Sequence, residues 1–162
     1  MKRFCLLLNL VFLPLPLPLL LSAAKAPVAA PAFSVKDLSG TAWTQASQAQ
    51  GVLLVDFWAT WCPPCLREIP GLNALQAKYG PGHRLSVLGL CMDDGGAAAA
   101  KGGAAKFKIA YPVAPAGEAL AQSFGVVGLP TAFVLKDGKI LATLVGLHSP
   151  AEFEKDLAPF LK

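Results

Sequence analysis

Two apolar runs and one periodic segment mark the central elements of the chain. Residues 52–58 and 85–92 are almost uninterrupted apolar runs of strand length, which is typical of strands buried on both faces of a sheet. Between them, residues 62–79 carry apolar side chains at helical steps, and this period predicts a helix that ends near Gly80. The apolar positions of this helix are Leu66, Ile69, Leu72 and Leu75.

The segments on either side of this unit predict smaller elements. FSVKDLSGTAW, residues 33–43, predicts a hairpin that turns at Ser39–Gly40. Residues 93–117 have the character of an insertion, in which an Ala-rich helix is broken at Gly102–Gly103. A short extended piece near residues 111–113 follows this helix.

The C-terminal third predicts a helix, a hairpin and a final helix. Residues 118–125 predict a short helix, and residues 131–146 predict a hairpin because Asp137–Gly138 lies between two apolar runs. Ser149 followed by Glu152 is a capping box and predicts the start of the last helix. The predicted order, β-α-β-α-β-α-β-β-α, indicates an α/β fold with a central mixed sheet flanked by helices on both faces.

The first two dozen residues have the layout of a secretory signal peptide. Lys2 and Arg3 precede an apolar run at residues 4–21, and small residues around Ala24 suit cleavage. An uncleaved membrane anchor is the alternative, since a run of this length could just span a bilayer. Three prolines inside the run disfavour a membrane-spanning helix.

These features divide the chain into three parts. We predict a signal peptide or N-terminal membrane anchor at residues 1–24, a Pro/Ala-rich linker at residues 25–32 and a single domain at residues 33–162. The protein is therefore expected to be periplasmic or otherwise extracytoplasmic, with membrane tethering as the alternative to cleavage.

The net charge gives little sign of a polyanionic partner. Removal of residues 1–24 takes away two basic and no acidic residues, so the formal charge falls from +4 to +2. No basic cluster remains in the sequence, and nucleic acid is not an expected partner. We expect a monomer.

The cysteines form one close pair and one spare. Cys5 belongs to the leader, which leaves Cys62, Cys65 and Cys91. An odd number of cysteines makes a poor disulfide framework for an exported protein. We predict that Cys62 and Cys65 work as a pair and that Cys91, in the second apolar strand, is a small apolar filler.

A cysteine pair with this spacing has four common uses. Zinc requires four ligands, whereas His83 and His148 stand alone in the sequence. Covalent haem attachment requires histidine directly after the second cysteine, where this chain has Leu66. A structural disulfide over so short a loop would constrain the unfolded chain very little. A redox dithiol between a strand and a helix fits best.

The position of the pair predicts the roles of the two thiols. Cys62 is placed at the start of the helix and is expected to be the more exposed thiol with the lower pKa, and therefore the nucleophile. Cys65 is expected to resolve the mixed disulfide that Cys62 forms with a substrate. Pro63 and Pro64 lack the backbone N–H groups that would stabilise a thiolate. We therefore expect only a moderate lowering of the Cys62 pKa.

The motif VDFWATWCPPC, with GVVGLPT further along the chain, resembles the thioredoxin superfamily, and the leader, hairpin and insertion resemble its exported TlpA/ResA-type branch. The resemblance implies a thioredoxin-like fold with an N-terminal β-hairpin extension and a central helix/strand insertion. It implies that Pro130 is cis and packs against the dithiol, and that the Leu129 backbone binds an extended substrate. Trp61 and Pro63 are expected on the substrate-facing surface.

Two acidic residues are candidates for proton transfer. The resemblance to ResA-type reductases implies that Glu68, one turn after Cys65, tunes the thiols; the alternative is an ordinary solvated glutamate. Asp56 lies inside an apolar run, so we expect it to be desolvated with a raised pKa. It matches the base of thioredoxin, but Gly89 replaces the lysine expected beside it, and a structural hydrogen-bonding role is the alternative.

The combined interpretation is an extracytoplasmic thiol–disulfide oxidoreductase that reduces protein disulfides through Cys62 and Cys65. No cofactor or metal is expected beyond this dithiol. The resemblance implies clients in cytochrome c or copper-enzyme maturation, or general envelope redox homeostasis, and a membrane thiol-transfer protein as electron donor.

Two other functions stay open at this point. One is a thiol peroxidase of peroxiredoxin type, although Ala59 stands where that family has threonine. The other is a copper-binding thioredoxin-like chaperone, although its usual C-x-x-x-C motif and accompanying histidine are not visible.

Overall fold

Eight strands and four helices make up the part of the chain that a computed structural model describes, residues 27–47 and 51–161. The predicted signal peptide or anchor at residues 1–24 lies outside these residues. No helix in the described ranges combines the length and apolar character needed to cross a membrane. In chain order the elements are β1 (Val28–Ala29), β2 (Ser34–Lys36), β3 (Ala42–Thr44), β4 (Val52–Trp58), α1 (Pro63–Tyr79), β5 (Leu85–Cys91), α2 (Gly96–Lys106), β6 (Val113–Pro115), α3 (Glu118–Ser123), β7 (Thr131–Lys136), β8 (Lys139–Val145) and α4 (Pro150–Leu157).

Six of the strands form one mixed sheet in the order β1-β8-β7-β4-β5-β6. β4, β5 and β6 are parallel neighbours, whereas β7 pairs antiparallel with β4 and β8. β2 and β3 form a separate antiparallel hairpin, as the sequence predicts. Every residue of β4 and β5 is buried, in agreement with their apolar runs.

Helices cover both faces of the sheet, which confirms the predicted α/β architecture. Side chains alternate between the faces along each strand. One face carries Leu54 and Trp58 of β4 and packs against α1, α2 and α4. The other face carries Leu53 and Phe57 and packs against α3 and the β2–β3 hairpin.

The helix of the insertion is continuous, so the predicted break at Gly102–Gly103 is wrong. α2 runs unbroken through both glycines. A Cβ atom at Gly103 would lie 2.7 Å from Thr60 Cγ2 and 3.0 Å from Trp58 Cη2, because α2 approaches the sheet closely there. This glycine serves close packing rather than helix termination.

Part of the predicted linker belongs to the sheet. Val28 and Ala29 form β1 and pair with Ile140 and Lys139 of β8. The linker prediction is corrected over these residues. An edge strand of two exposed residues is held by backbone pairing, which needs no alternating apolar pattern, so β1 could not be predicted from the side chains.

The predicted turn and cap near the C-terminus are confirmed. Asp137 and Gly138 both have positive φ angles, 50° and 71°, as a two-residue hairpin turn requires. Ser149 caps α4: its hydroxyl accepts from the Glu152 N–H at 3.3 Å, and its own N–H donates to the Glu152 carboxylate at 2.7 Å.

Candidate active site

The dithiol lies where α1 begins. Cys62 is the N-cap of α1, and its sulfur accepts a hydrogen bond from the Cys65 N–H at 3.3 Å. A disulfide joins the two residues, whose Cα atoms are 5.4 Å apart. Pro63 and Pro64 occupy the first helical turn, where an absent N–H costs the helix little. After reduction, the positive end of the helix favours negative charge on the Cys62 sulfur.

The exposed surface around the dithiol is formed mainly by the residues adjacent to Cys62, because both cysteines are buried. Cys62 is 4% exposed and Cys65 2%, so Cys62 is the more exposed of the two only by a narrow margin. Trp61 is 66% exposed, and Pro63 is also exposed. Trp61 and Pro63 therefore form the exposed surface on either side of Cys62 in the chain.

A groove runs from Trp61 to the segment before β7. It has a volume of about 450 Å³ and is lined by both Trp61 and Leu129. Asp93, Asp94 and Glu118 also line it and give it an acidic character. The structure thus brings the predicted substrate-facing residues Trp61 and Leu129 to one groove beside the dithiol.

The Leu129–Pro130 peptide bond is cis, as the resemblance implies. Pro130 is buried, and its carbonyl accepts a hydrogen bond from the Gly146 N–H at 2.9 Å. The backbone of Leu129 makes no hydrogen bond to any residue within the described ranges. Its N–H and C=O groups are therefore available to a bound segment.

Glu68 is buried on the same face of α1 as Cys65. It is 3% exposed, so the alternative of a solvated helix glutamate is excluded. Its carboxylate accepts a hydrogen bond from the backbone N–H of His148, and the His148 Nδ1 atom lies 3.9 Å from the same oxygen. Burial raises the pKa of Glu68 to about 7, against the opposing influence of His148.

Asp56 is buried at the centre of the sheet. It is 2% exposed and lies opposite Gly89 of β5 and Ala132 of β7. The sequence analysis likewise predicts that Gly89 lies beside Asp56. Burial, followed by the nearby charge of Glu68, raises the pKa of Asp56 well above its ordinary value. No protein group in the described ranges hydrogen-bonds its Oδ1 atom, which weakens the structural alternative.

A carboxylate that the sequence analysis did not single out holds the loop before Cys62. Asp93 accepts hydrogen bonds from the Thr60 N–H at 3.0 Å and from the Thr60 hydroxyl at 2.8 Å. The Cys91 thiol donates to it at 3.1 Å. Burial acts to raise the pKa of Asp93, but these bonds outweigh it and the pKa is lowered. Asp93 is thus a fixed charge near the dithiol.

The spare cysteine, Cys91, is buried and forms no disulfide with any cysteine in the described ranges. Burial raises the pKa of the Cys91 thiol to about 12, so it stays protonated at neutral pH. Besides filling space, as predicted, it donates the hydrogen bond to Asp93. His148 and Asp93 both reach the site from distant segments, and no local pattern marks them in the sequence.

Metal-binding geometry is not found in the structured part of the chain. Within residues 27–47 and 51–161, no group of three or more His, Cys, Asp or Glu side chains is arranged to hold a metal ion.

Comparison with known proteins agrees with this geometry. The AhpC/TSA family model matches residues 28–143. The thiol-disulfide oxidoreductase ResA of Bacillus thuringiensis subsp. konkukian is 34% identical over 131 residues, which cover 79% of this chain and 74% of the relative. A thioredoxin of Listeria monocytogenes is 28% identical over 121 residues, which cover 75% of this chain and 93% of the relative.

A solved structure shows the same fold. The crystal structure of a thiol:disulfide interchange protein of the thioredoxin family from Chlorobium tepidum superimposes with a TM-score of 0.72 at 29% identity, covering 84% of this chain and 97% of that one. The chain therefore belongs to the AhpC/TSA family and is a thioredoxin-fold thiol–disulfide oxidoreductase of the ResA-like type.

Proposed function

We propose that the protein reduces disulfide bonds of other proteins outside the cytoplasm, with Cys62 as nucleophile and Cys65 as resolving thiol. The observation that carries this proposal is the position of Cys62 at the N-cap of α1, bonded to Cys65 one turn further on. A sulfur at this position is stabilised as a thiolate, and Cys62 is slightly more exposed than Cys65.

The reaction moves two electrons in two steps. The Cys62 thiolate attacks one sulfur of the client disulfide, forms a mixed disulfide and releases the other client sulfur as a thiolate. Cys65 then loses its proton and attacks the Cys62 sulfur, which frees the second client sulfur and forms the Cys62–Cys65 disulfide. The client gains two electrons and ends as a dithiol after protonation.

Asp56 and Glu68 are proposed to handle the proton of Cys65. Both are buried on the side of the sheet that α1 covers, and the pKa of each is raised. With a pKa of about 7, Glu68 can take up and release a proton near neutral pH.

The client segment is proposed to bind in the groove beside Cys62. Trp61 and Pro63 supply exposed apolar contact, and the free backbone groups of Leu129 supply hydrogen bonds to an extended segment next to cis-Pro130. Pairing with a backbone suits protein substrates of varied sequence.

The extracytoplasmic location rests on the leader at residues 1–24. An exported reductant needs a source of electrons, and a membrane thiol-transfer protein could re-reduce the Cys62–Cys65 disulfide by the same exchange chemistry. The proposed clients are apocytochrome c, copper-site proteins, or a broad set of envelope proteins.

Trapping the mixed disulfide tests the proposal. In Cys65→Ser the second step cannot occur, so a client remains bonded to Cys62 and can be identified by mass spectrometry from the native envelope. The matched control is Cys62→Ser/Cys65→Ser, which should trap nothing, while Cys91→Ser/Cys65→Ser should trap the same clients. Trapping that persists without Cys62 would contradict the proposal.

A peroxidase is the second candidate, favoured by the match to the AhpC/TSA family model. Ala59 lies three residues before Cys62, so the threonine that peroxidases of this type place there is absent from the motif. Consumption of peroxide at a rate that does not depend on a protein disulfide would support this candidate over the first.

A further inference from the structure

Within the part of the chain that the structure describes, three buried side-chain polar atoms have no hydrogen-bond partner in the protein. No residue in the described ranges bonds to Asp56 Oδ1, Trp58 Nε1 or the Tyr111 hydroxyl. These residues are 2%, 0% and 5% exposed. Since buried polar groups in folded proteins are nearly always satisfied, three such atoms in one core need a physical explanation.

Gly89 brings the three residues together. It lies directly opposite Asp56 on β5, so both positions face the same side of the sheet. A Cβ atom at position 89 would lie 2.9 Å from Tyr111 Cε2 and 3.0 Å from Trp58 Nε1. The phenol and indole rings therefore occupy the space that a larger side chain beside Asp56 would need.

The electrostatics agree with this placement. Burial raises the pKa of the Tyr111 phenol well above its ordinary value, and the charges of Asp56 and Glu68 raise it further. The phenol is thus a neutral hydrogen-bond donor at neutral pH, and it lies within electrostatic reach of both carboxyl groups.

The donor and acceptor types of the three atoms match those that one water molecule can bond. The indole N–H and phenol O–H can donate, and the carboxylate oxygen can accept. A buried water with these three partners would satisfy all of them at once. A lysine at position 89 would have supplied a charged donor instead.

We propose that Tyr111 is a positioning residue for thiol–disulfide exchange: with Trp58 it holds a buried water against Asp56 and so stabilises the ionised carboxylate that removes the Cys65 proton. The inference rests on the proposed function, in which Asp56 acts as the base toward Cys65. The proton passes from the Cys65 sulfur to Asp56. The electron pair left on that sulfur forms the bond to the Cys62 sulfur as the bond from Cys62 to the client breaks, and the client sulfur leaves as a thiolate.

Other titratable groups lie near Asp56 and bear on how the rate of disulfide exchange depends on pH. The neighbouring strand positions, Gly89 and Ala132, do not titrate. Among the described residues, Glu68 of α1 and Tyr111 before β6 interact with the charge of Asp56, Cys65 lies one turn before Glu68 on α1, and His148 Nδ1 lies 3.9 Å from the Glu68 carboxylate.

The test is the pH dependence of a single turnover, measured as insulin reduction by the pre-reduced full chain. Tyr111→Phe keeps the ring that fills the space and removes only the hydroxyl. Loss of a hydrogen bond to a charged group should raise the midpoint of the profile by about one pH unit and lower the rate below the midpoint about tenfold. Tyr79→Phe is the matched control, since the Tyr79 hydroxyl donates to Glu154 at 2.6 Å, and its profile should equal that of the wild type.

A second comparison shows whether the effect passes through Asp56. In an Asp56→Asn background, Tyr111→Phe should cause no additional shift, because the carboxylate it serves is gone. An unchanged profile for Tyr111→Phe alone, or an equal shift in both backgrounds, would overturn the inference. Failure of the proposed function has a different signature, because the wild type would then transfer no electrons to insulin at any pH.

Discussion

At the scale of single residues, the carboxyl groups of Asp56 and Glu68 are both buried, and burial raises the pKa of each. The burial of Asp56 could be predicted because it interrupts an apolar strand. The burial of Glu68 could not, because it depends on the contact with His148, which comes from the connection between β8 and α4. Among the described residues Asp56 Oδ1 has no hydrogen-bonding partner, and this could not be predicted either, because it depends on the small residues Gly89 of β5 and Ala132 of β7 on either side.

Glu68 should make the stability of the oxidised protein depend on pH. Between its ordinary pKa of 4.5 and about 7, the unfolded chain loses this proton while the folded protein keeps it. The free energy of unfolding therefore falls as pH rises through this window, by about 3 kcal/mol in total. Denaturant unfolding at a series of pH values should show this slope reduced in Glu68→Gln. Glu118→Gln, at an exposed glutamate, should keep the wild-type slope; an equal slope in all three proteins would contradict the account.

Asp56→Asn should separate the catalytic role from a structural one. If Asp56 is the base, insulin reduction at neutral pH should slow by about 100-fold, since an amide cannot accept the Cys65 proton. Stability should stay equal or rise, because a neutral amide costs less to bury than a carboxylate. The two readouts are turnover rate and denaturation midpoint. A lower midpoint with full activity per folded molecule would show that Asp56 is structural.

At the scale of elements, the sequence predicted the order of strands and helices because each carries its own apolar period, turn or cap. The predicted break in α2 was wrong because glycine in a helix is compatible either with a break or with close packing of the helix against a neighbouring element. Only the tertiary structure distinguishes these two cases. The strand β1 was not predicted because it pairs with β8 only through the backbone, which requires no pattern of apolar and polar side chains.

The neighbouring glycines of α2 provide a matched pair of variants. Gly103→Ala should lower the free energy of unfolding by about 1–3 kcal/mol, because its Cβ would overlap Thr60 and crowd Trp58. Gly102→Ala has nothing within 4 Å of the new Cβ and should be neutral or stabilising by up to about 1 kcal/mol. Equal effects in denaturant unfolding would show that α2 does not pack closely at Gly103.

At the scale of the whole molecule, the fold gathers the site from segments far apart in sequence. Helix α1 supplies the dithiol, and Asp93 after β5 accepts a hydrogen bond from Thr60 in the loop before Cys62. Leu129, before cis-Pro130, lines the same groove as Trp61, and His148 after β8 donates a hydrogen bond to Glu68. The dithiol and the proline carry short motifs and could be predicted. Asp93 and His148 act through contacts that only the sheet order creates, so no local pattern could reveal them.

The most direct test is stoichiometric electron transfer from the pre-reduced protein to insulin, with free thiols counted on both products. One client disulfide should be reduced and one Cys62–Cys65 disulfide formed for each molecule of wild type or Cys91→Ser, with no such transfer from Cys62→Ser. Undiminished transfer from Cys62→Ser, or no transfer from the wild type, would contradict the proposed function.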